Sequence, residues 1–145
     1  MKVLFVCRSN GGRSKSAELF FRSLTKDYEV DSAGTTVEED EQSWKSGAPR
    51  PKGLVRKVMK EYFGIDMSNE KRKQLTPEIL KNANRVVVIL DKEEQKGLPP
   101  YFKDFNGKLT FWEIKDMRDE EDEKAIKDRQ AEIRKRVEDL IKELG

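Results

Sequence analysis

Hydrophobic residues along this chain fall into two kinds of run. Residues 2–7, KVLFVC, and 85–90, RVVVIL, are short, continuous and rich in β-branched or aromatic side chains, the pattern of strands buried on both faces. Elsewhere the spacing becomes helical. Ala17, Phe20, Phe21 and Leu24 stand at i, i+3, i+4 and i+7, so a helix is expected from Ser14 onward. Val55, Val58, Met59 and Tyr62 predict another, closed by Gly64, and LTPEILKNA places Thr76 as an N-cap with Pro77 at the first helical position. Ile126, Ile133, Val137, Leu140, Ile141 and Leu144 form a narrow stripe among charges, which predicts a long last helix packed on a core rather than in a membrane. YEVDSAG (28–34) and KLTFWEI (108–114) read as further strands. Residues 35–53, TTVEEDEQSWKSGAPRPKG, are punctuated by two prolines and two glycines and are expected to be a long polar loop. An acidic segment, KDMRDEEDE, precedes the last helix.

Strands alternating with helices at this spacing predict an α/β fold, an open parallel sheet with helices on both faces. In such sheets ligands bind beyond the carboxyl ends of the strands. The glycine-rich turn CRSNGGR, joining the first strand to the first helix, falls at that edge.

Composition narrows the classes. A chain of 145 residues with no shift in composition suggests one domain, 1–145. Its 30 Lys+Arg nearly cancel 28 Asp+Glu, which lacks the one-sided basic excess of a nucleic-acid binder. Met1-Lys2 leads into only five apolar residues, too few for a signal peptide core or a membrane span. The single cysteine, Cys7, fits a reducing compartment, so a cytoplasmic location is expected. No histidine is present, which excludes Ser-His-Asp and Cys-His catalysis and histidine-containing zinc sites.

A nucleophilic Cys7 must therefore be activated by something other than a histidine base. CRSNGGR ends at a helix N-terminus, where free N–H groups and the helix dipole attract an anion. Gly11 and Gly12 let the backbone fold into a nest of N–H groups, and Arg13 offers a planar fork for two phosphate oxygens. Such a field favours thiolate over thiol without histidine, and Ser14 can donate to the sulfur. The alternative is that Cys7 is a small hydrophobe ending a buried strand; the ordered set of strand, cysteine, glycines, arginine, serine and amphipathic helix favours the anion site.

The segment VLFVCRSNGGRSKSAELFF resembles the signature of the low-molecular-weight protein tyrosine phosphatase and thioredoxin-type arsenate reductase superfamily, C-x-x-N-x-x-R-S followed by A-E. Agreement continues in DSAGT (31–35), GI (64–65), KQLTPE (73–78), VVVILD (86–91) and the tail AEIRKRVEDLI. The resemblance implies a flavodoxin-like sheet of four parallel strands in the order 2-1-3-4. It makes Cys7 the nucleophile and Arg13 the transition-state clamp, with Arg8, Ser9, Asn10, Gly11, Gly12 and Ser14 forming the substrate loop; Asn10 holds its geometry and Ser14 bonds the thiolate. The family's general acid is an aspartate in a late D-P motif. Here WEIKDM supplies Asp116, with Met117 in place of proline and Asp119 as the other candidate. No metal or cofactor is implied.

The loop NGGRS and the tail look like the reductase branch, yet that branch resolves its oxidised cysteine through two further cysteines, which this chain lacks. The expected activity is thus phosphomonoester hydrolysis through a phosphocysteine, with a phosphotyrosine-containing protein or peptide as substrate. Arsenate reduction using an external small thiol, and phosphate binding without turnover, are the alternatives. Trp44 is the candidate aromatic wall for the substrate ring. A related phosphoarginine branch carries threonine where this chain has Gly11.

Overall fold

The computed structural model describes residues 1–51 and 53–145. Four parallel strands, β1 (Lys2–Cys7), β2 (Glu29–Gly34), β3 (Arg85–Ile89) and β4 (Lys108–Trp112), lie in the order β2-β1-β3-β4. This is the expected sheet and order. Strand alternation sends Val3, Phe5, Val87 and Ile89 to one face, and Leu4, Val6, Val86 and Val88 to the other. Both sets are fully buried, which is why the two runs are continuous rather than alternating.

On the first face lie helices α1 (Arg13–Leu24) and α3 (Leu54–Phe63), together with the long C-terminal helix. Phe20 and Phe21 of α1 and Met59 of α3 join Ile133, Val137 and Leu140 of that helix in one core. On the opposite face, Leu80 from the short helix α4 (Pro77–Lys81) and Phe102 from a 3-10 turn (Pro100–Asp104) cover Leu4 and Val88. Thr76 caps α4 as the sequence predicts, its side chain accepting from the Ile79 N–H.

The stretch 35–53 is not all loop. Helix α2 spans Val37–Lys45 within it; Lys52, in the same stretch, lies outside the described residues. Only Val37 of α2 is buried, and Glu38, Glu39 and Asp40 fill its first turn. Acidic residues at a helix N-terminus stabilise it through the dipole, and this helix forms without the apolar stripe that would reveal it in the sequence. Helix α5 (Lys92–Gln95) follows β3, and α6 (Glu123–Leu144) ends the chain. No helix among the described residues is long and apolar enough to cross a membrane.

With β2 to one side of β1 and β3 to the other, the chain direction of assembly reverses beside β1. Cys7, the last residue of β1, stands at that crevice, paired in register with Gly34.

Candidate active site

The loop after Cys7 is held from behind. A Cβ on Gly34 would lie 2.4 Å from the Arg8 carbonyl oxygen and 2.8 Å from the Asn10 nitrogen, so glycine is what lets β2 abut the loop. Thr35 and Thr36 donate backbone N–H bonds to the carbonyls of Cys7 and Arg8, both at 2.9 Å. The loop then turns through Asn10, whose φ of 54° is left-handed, a conformation that asparagine accepts better than most residues.

Asn10 is fully buried, and its side chain ties the loop together. Its Nδ2 donates to Ser14 Oγ at 2.8 Å and to Ser32 Oγ at 2.9 Å, and its Oδ1 accepts from Lys73 N–H at 2.9 Å. Its backbone N–H points at Cys7 Sγ, 3.3 Å away. Ser14 Oγ, having accepted from Asn10, keeps its own proton for Cys7 Sγ at 3.0 Å or the Ala33 carbonyl at 3.4 Å. Behind Ser32 stands the buried Glu18, which accepts from Ser32, Arg22 and Lys15. Cys7 is 2% exposed, so its sulfur lies at the bottom of a cradle. At the rim of that cradle α1 begins at Gly12 with no side-chain cap, which leaves first-turn N–H groups free for an anion.

Arg13 is buried, and its guanidinium is engaged through Nη1 and Nη2. Nη1 and Nη2 donate to the two carboxylate oxygens of Glu94 at 2.6 and 2.8 Å, and Nη1 also donates to the Ile114 carbonyl at 3.0 Å. The Nε edge has no acceptor among the described residues and remains for an oxyanion. Burial opposes the charge on Arg13, but the Glu94 carboxylate, aided by Cys7 and Asp116, more than offsets it and raises the pKa. Glu94 is itself fixed by a capping box on α5: its Oε1 accepts from Asp91 N–H at 3.0 Å while Asp91 caps Glu94 N–H at 2.8 Å. Hydrophobic patterning does not reveal this partner, although D-x-x-E directly after the apolar run 85–90 is a capping signature.

A cavity of about 300 Å³ opens over the loop, lined by Ser9, Gly11 and Gly12 below and by Trp44, Arg72, Asp116, Met117, Arg118 and Arg129 at its sides. Asp116 is half-buried, and its carboxylate takes the Arg118 backbone N–H at 3.0 Å and Arg118 Nε at 3.1 Å. The turn that proline makes in the D-P motif is thus an Asx turn here. Desolvation pushes the Asp116 pKa up, but Arg13, Arg118 and these bonds together pull it below the ordinary carboxylate range. Arg118 also donates to Ser9 Oγ and approaches Asp40 at 3.8 Å. Asp119 is exposed and, with Arg8, lines a neighbouring cleft that Asp116, Met117 and Arg118 also border. Trp44 carries the Arg72 guanidinium 4.0 Å from its ring centre and that of Arg50 at 5.3 Å.

The order of the loop, its serine and the facing aspartate agree with one family throughout. A model of the family described as low molecular weight phosphotyrosine protein phosphatase matches residues 2–145. The chain belongs to that family. Among solved structures, it is similar to the T. tengcongensis low molecular weight protein tyrosine phosphatase (26% identity, 99% of each chain, TM-score 0.72). An arsenate reductase from Archaeoglobus fulgidus is equally close in sequence (26% identity, 96% of this chain and 98% of that one, TM-score 0.67). Vibrio vulnificus Wzb, solved with benzylphosphonate, shares the fold (21% identity, 98% and 97% covered, TM-score 0.79). The phosphatase family fold therefore carries both phosphatases and reductases among this chain's neighbours. Of the residues expected at the site, Ser9, Gly11, Gly12, Trp44 and Asp116 line the cavity; Cys7, Asn10, Arg13 and Ser14 are buried in the adjoining loop and first helical turn, and Arg8 borders a neighbouring cleft.

Proposed function

We propose that the protein is a phosphomonoester hydrolase acting on phosphotyrosine through a phosphocysteine. The observation that carries this reading is the pairing of Cys7 Sγ with the Asn10 N–H and the Ser14 hydroxyl beside an uncapped helix N-terminus, with Asp116 lining the cavity over Gly11 and Gly12. Donors directed at the sulfur favour its negative charge both as attacker and as leaving group. The sulfur attacks phosphorus in line, forming the S–P bond as the ester P–O bond breaks. Arg13 and the loop amides stabilise the equatorial oxygens, and protonated Asp116 gives its proton to the departing oxygen. A water then attacks phosphorus, the S–P bond breaks, and Asp116 takes the water proton. A bound dianion offsets the pull of Arg13 and Arg118 on Asp116, which favours its protonation when substrate is present.

The depth of Cys7 favours a long, flat side chain over phosphoserine, and Trp44 with its two guanidinia forms the side wall for the ring. A second reading, arsenate reduction with an external small thiol, draws on the glycine-rich NGGRS loop and the A. fulgidus neighbour. Cys7 is the only cysteine, so no internal disulfide can form. A side-by-side assay decides between the two. The expected result is release of nitrophenol from nitrophenyl phosphate without added thiol, and no arsenite from arsenate plus glutathione. Arsenite formation without aryl phosphate turnover would replace the first reading with the second.

A further inference from the structure

The charges around the loop do not cancel evenly. Arg13 is matched by Glu94, and Arg118 by Asp116 and Asp40. Arg129, on α6, has no such partner. It is only 7% exposed, yet its acceptors are neutral: Gln130 Oε1 accepts from Nε at 3.1 Å and Nη2 at 2.8 Å, and the Lys115 carbonyl accepts from Nη1 at 3.4 Å. No carboxylate among the described residues pairs with it. A buried cation without a counter-ion is costly, and burial followed by repulsion from Arg13 lowers its pKa to about 10 despite Asp116 and Cys7. It still carries its charge at neutral pH.

Its position is as telling as its charge. A Cβ on Gly12 would lie 3.3 Å from Arg129 Nη2, so the guanidinium packs closely against the loop at position 12. It lines the cavity with Gly11, Gly12 and Asp116. We propose that Arg129 is a second arginine of the oxyanion site, supplying the positive charge that Glu94 removes from Arg13. Its ligand is the tetrahedral oxyanion bound over Cys7, and glycine at position 12 gives this guanidinium room against the loop. The inference rests on reading the loop as an oxyanion site and does not depend on turnover.

Two measurements on Arg129→Met, Arg129→Lys and the unaltered protein test it. Inorganic phosphate affinity should fall about tenfold in Arg129→Met, and lysine, which keeps the charge, should restore most of it. The ratio of Cys7 alkylation by anionic iodoacetate to that by neutral iodoacetamide reads the local field, and should fall severalfold in Arg129→Met but not in Arg129→Lys. A purely structural Arg129 would lower thermal stability in both variants while leaving phosphate affinity and the alkylation ratio unchanged, and that outcome overturns the proposal. Should Arg129→Met fail to fold, Arg129→Gln against Arg129→Lys makes the same comparison. Unaltered protein that binds phosphate but releases no phenol would overturn the hydrolase reading and leave Arg129 in place.

Discussion

At the floor of the cavity the polar side chains are buried and hydrogen-bonded to one another, whereas at its rim they are exposed or half-buried and held by surface contacts. Asn10, Ser14, Ser32 and Glu18 form one buried chain of hydrogen bonds ending on Cys7. By contrast, Arg50 and Arg56 are exposed and Trp44 is half-buried, its ring contacted by guanidinia rather than by core. Cation–π contacts and surface ion pairs of this kind contribute about 0–1 kcal/mol each. Buried hydrogen bonds are costly to break, because the partner left behind stays unsatisfied. On the proposed mechanism, the groups that meet phosphorus are therefore set before substrate arrives, and those that meet the leaving group can rearrange at little cost.

The largest effect should come from the floor. Cys7→Ser should lower nitrophenyl phosphate turnover by about a thousandfold or more while still binding phosphate or vanadate, since the hydrogen-bonded loop does not need the sulfur to keep its shape. Substantial residual turnover would break the proposed mechanism.

Asp116 stands between floor and rim, and its effect should depend on the leaving group. Asp116→Asn should slow phenyl phosphate on the order of a hundredfold but nitrophenyl phosphate only severalfold. The same dependence in Asp119→Asn instead would move the acid to the exposed side. On the proposed mechanism Asp116 acts as acid in its protonated form, so kcat/KM should decline as pH rises through its pKa. Arg118 helps hold that pKa down, so Arg118→Met should move the alkaline limb of the profile to higher pH. A limb that stays in place would separate Asp116 from proton transfer.

The smallest effect is expected at the rim. Trp44→Ala should raise KM for a phosphotyrosine peptide by about threefold and leave inorganic phosphate binding nearly unchanged. Equal rates on phosphotyrosine and phosphoserine peptides, with no change in Trp44→Ala, would leave an aryl or small-molecule phosphatase.

The same division governs what could be read from the sequence. Continuous apolar runs disclose β1 and β3 because burial on both faces leaves no room for polar residues, and the loop is legible because strand, turn and helix are contiguous in the chain. The resemblance, rather than periodicity, supplies the strand order. Glu94, Arg118 and Arg129 reach the loop from 81, 109 and 116 residues beyond Arg13, Ser9 and Arg13 respectively, and charged residues carry no periodic signal of where they point. Helix α2 is hidden for a related reason: it rests on one buried valine and a favourable first-turn charge, not on an apolar face.

Gly34 sets a boundary on how such a scaffold can diversify. With a Cβ excluded by the Arg8 carbonyl and the Asn10 nitrogen, any side chain there would displace the loop after Cys7 although it would line no part of the cavity. Thr35 and Thr36 hold the same loop through backbone N–H bonds to Cys7 and Arg8, which a change of side chain preserves, and Arg118 touches it through Ser9. A lineage exploring new substrates can therefore rewrite the cavity's walls step by step while the backbone crossing behind the sulfur admits no intermediate, so novelty in leaving-group recognition comes cheaply and novelty in the reacting centre does not.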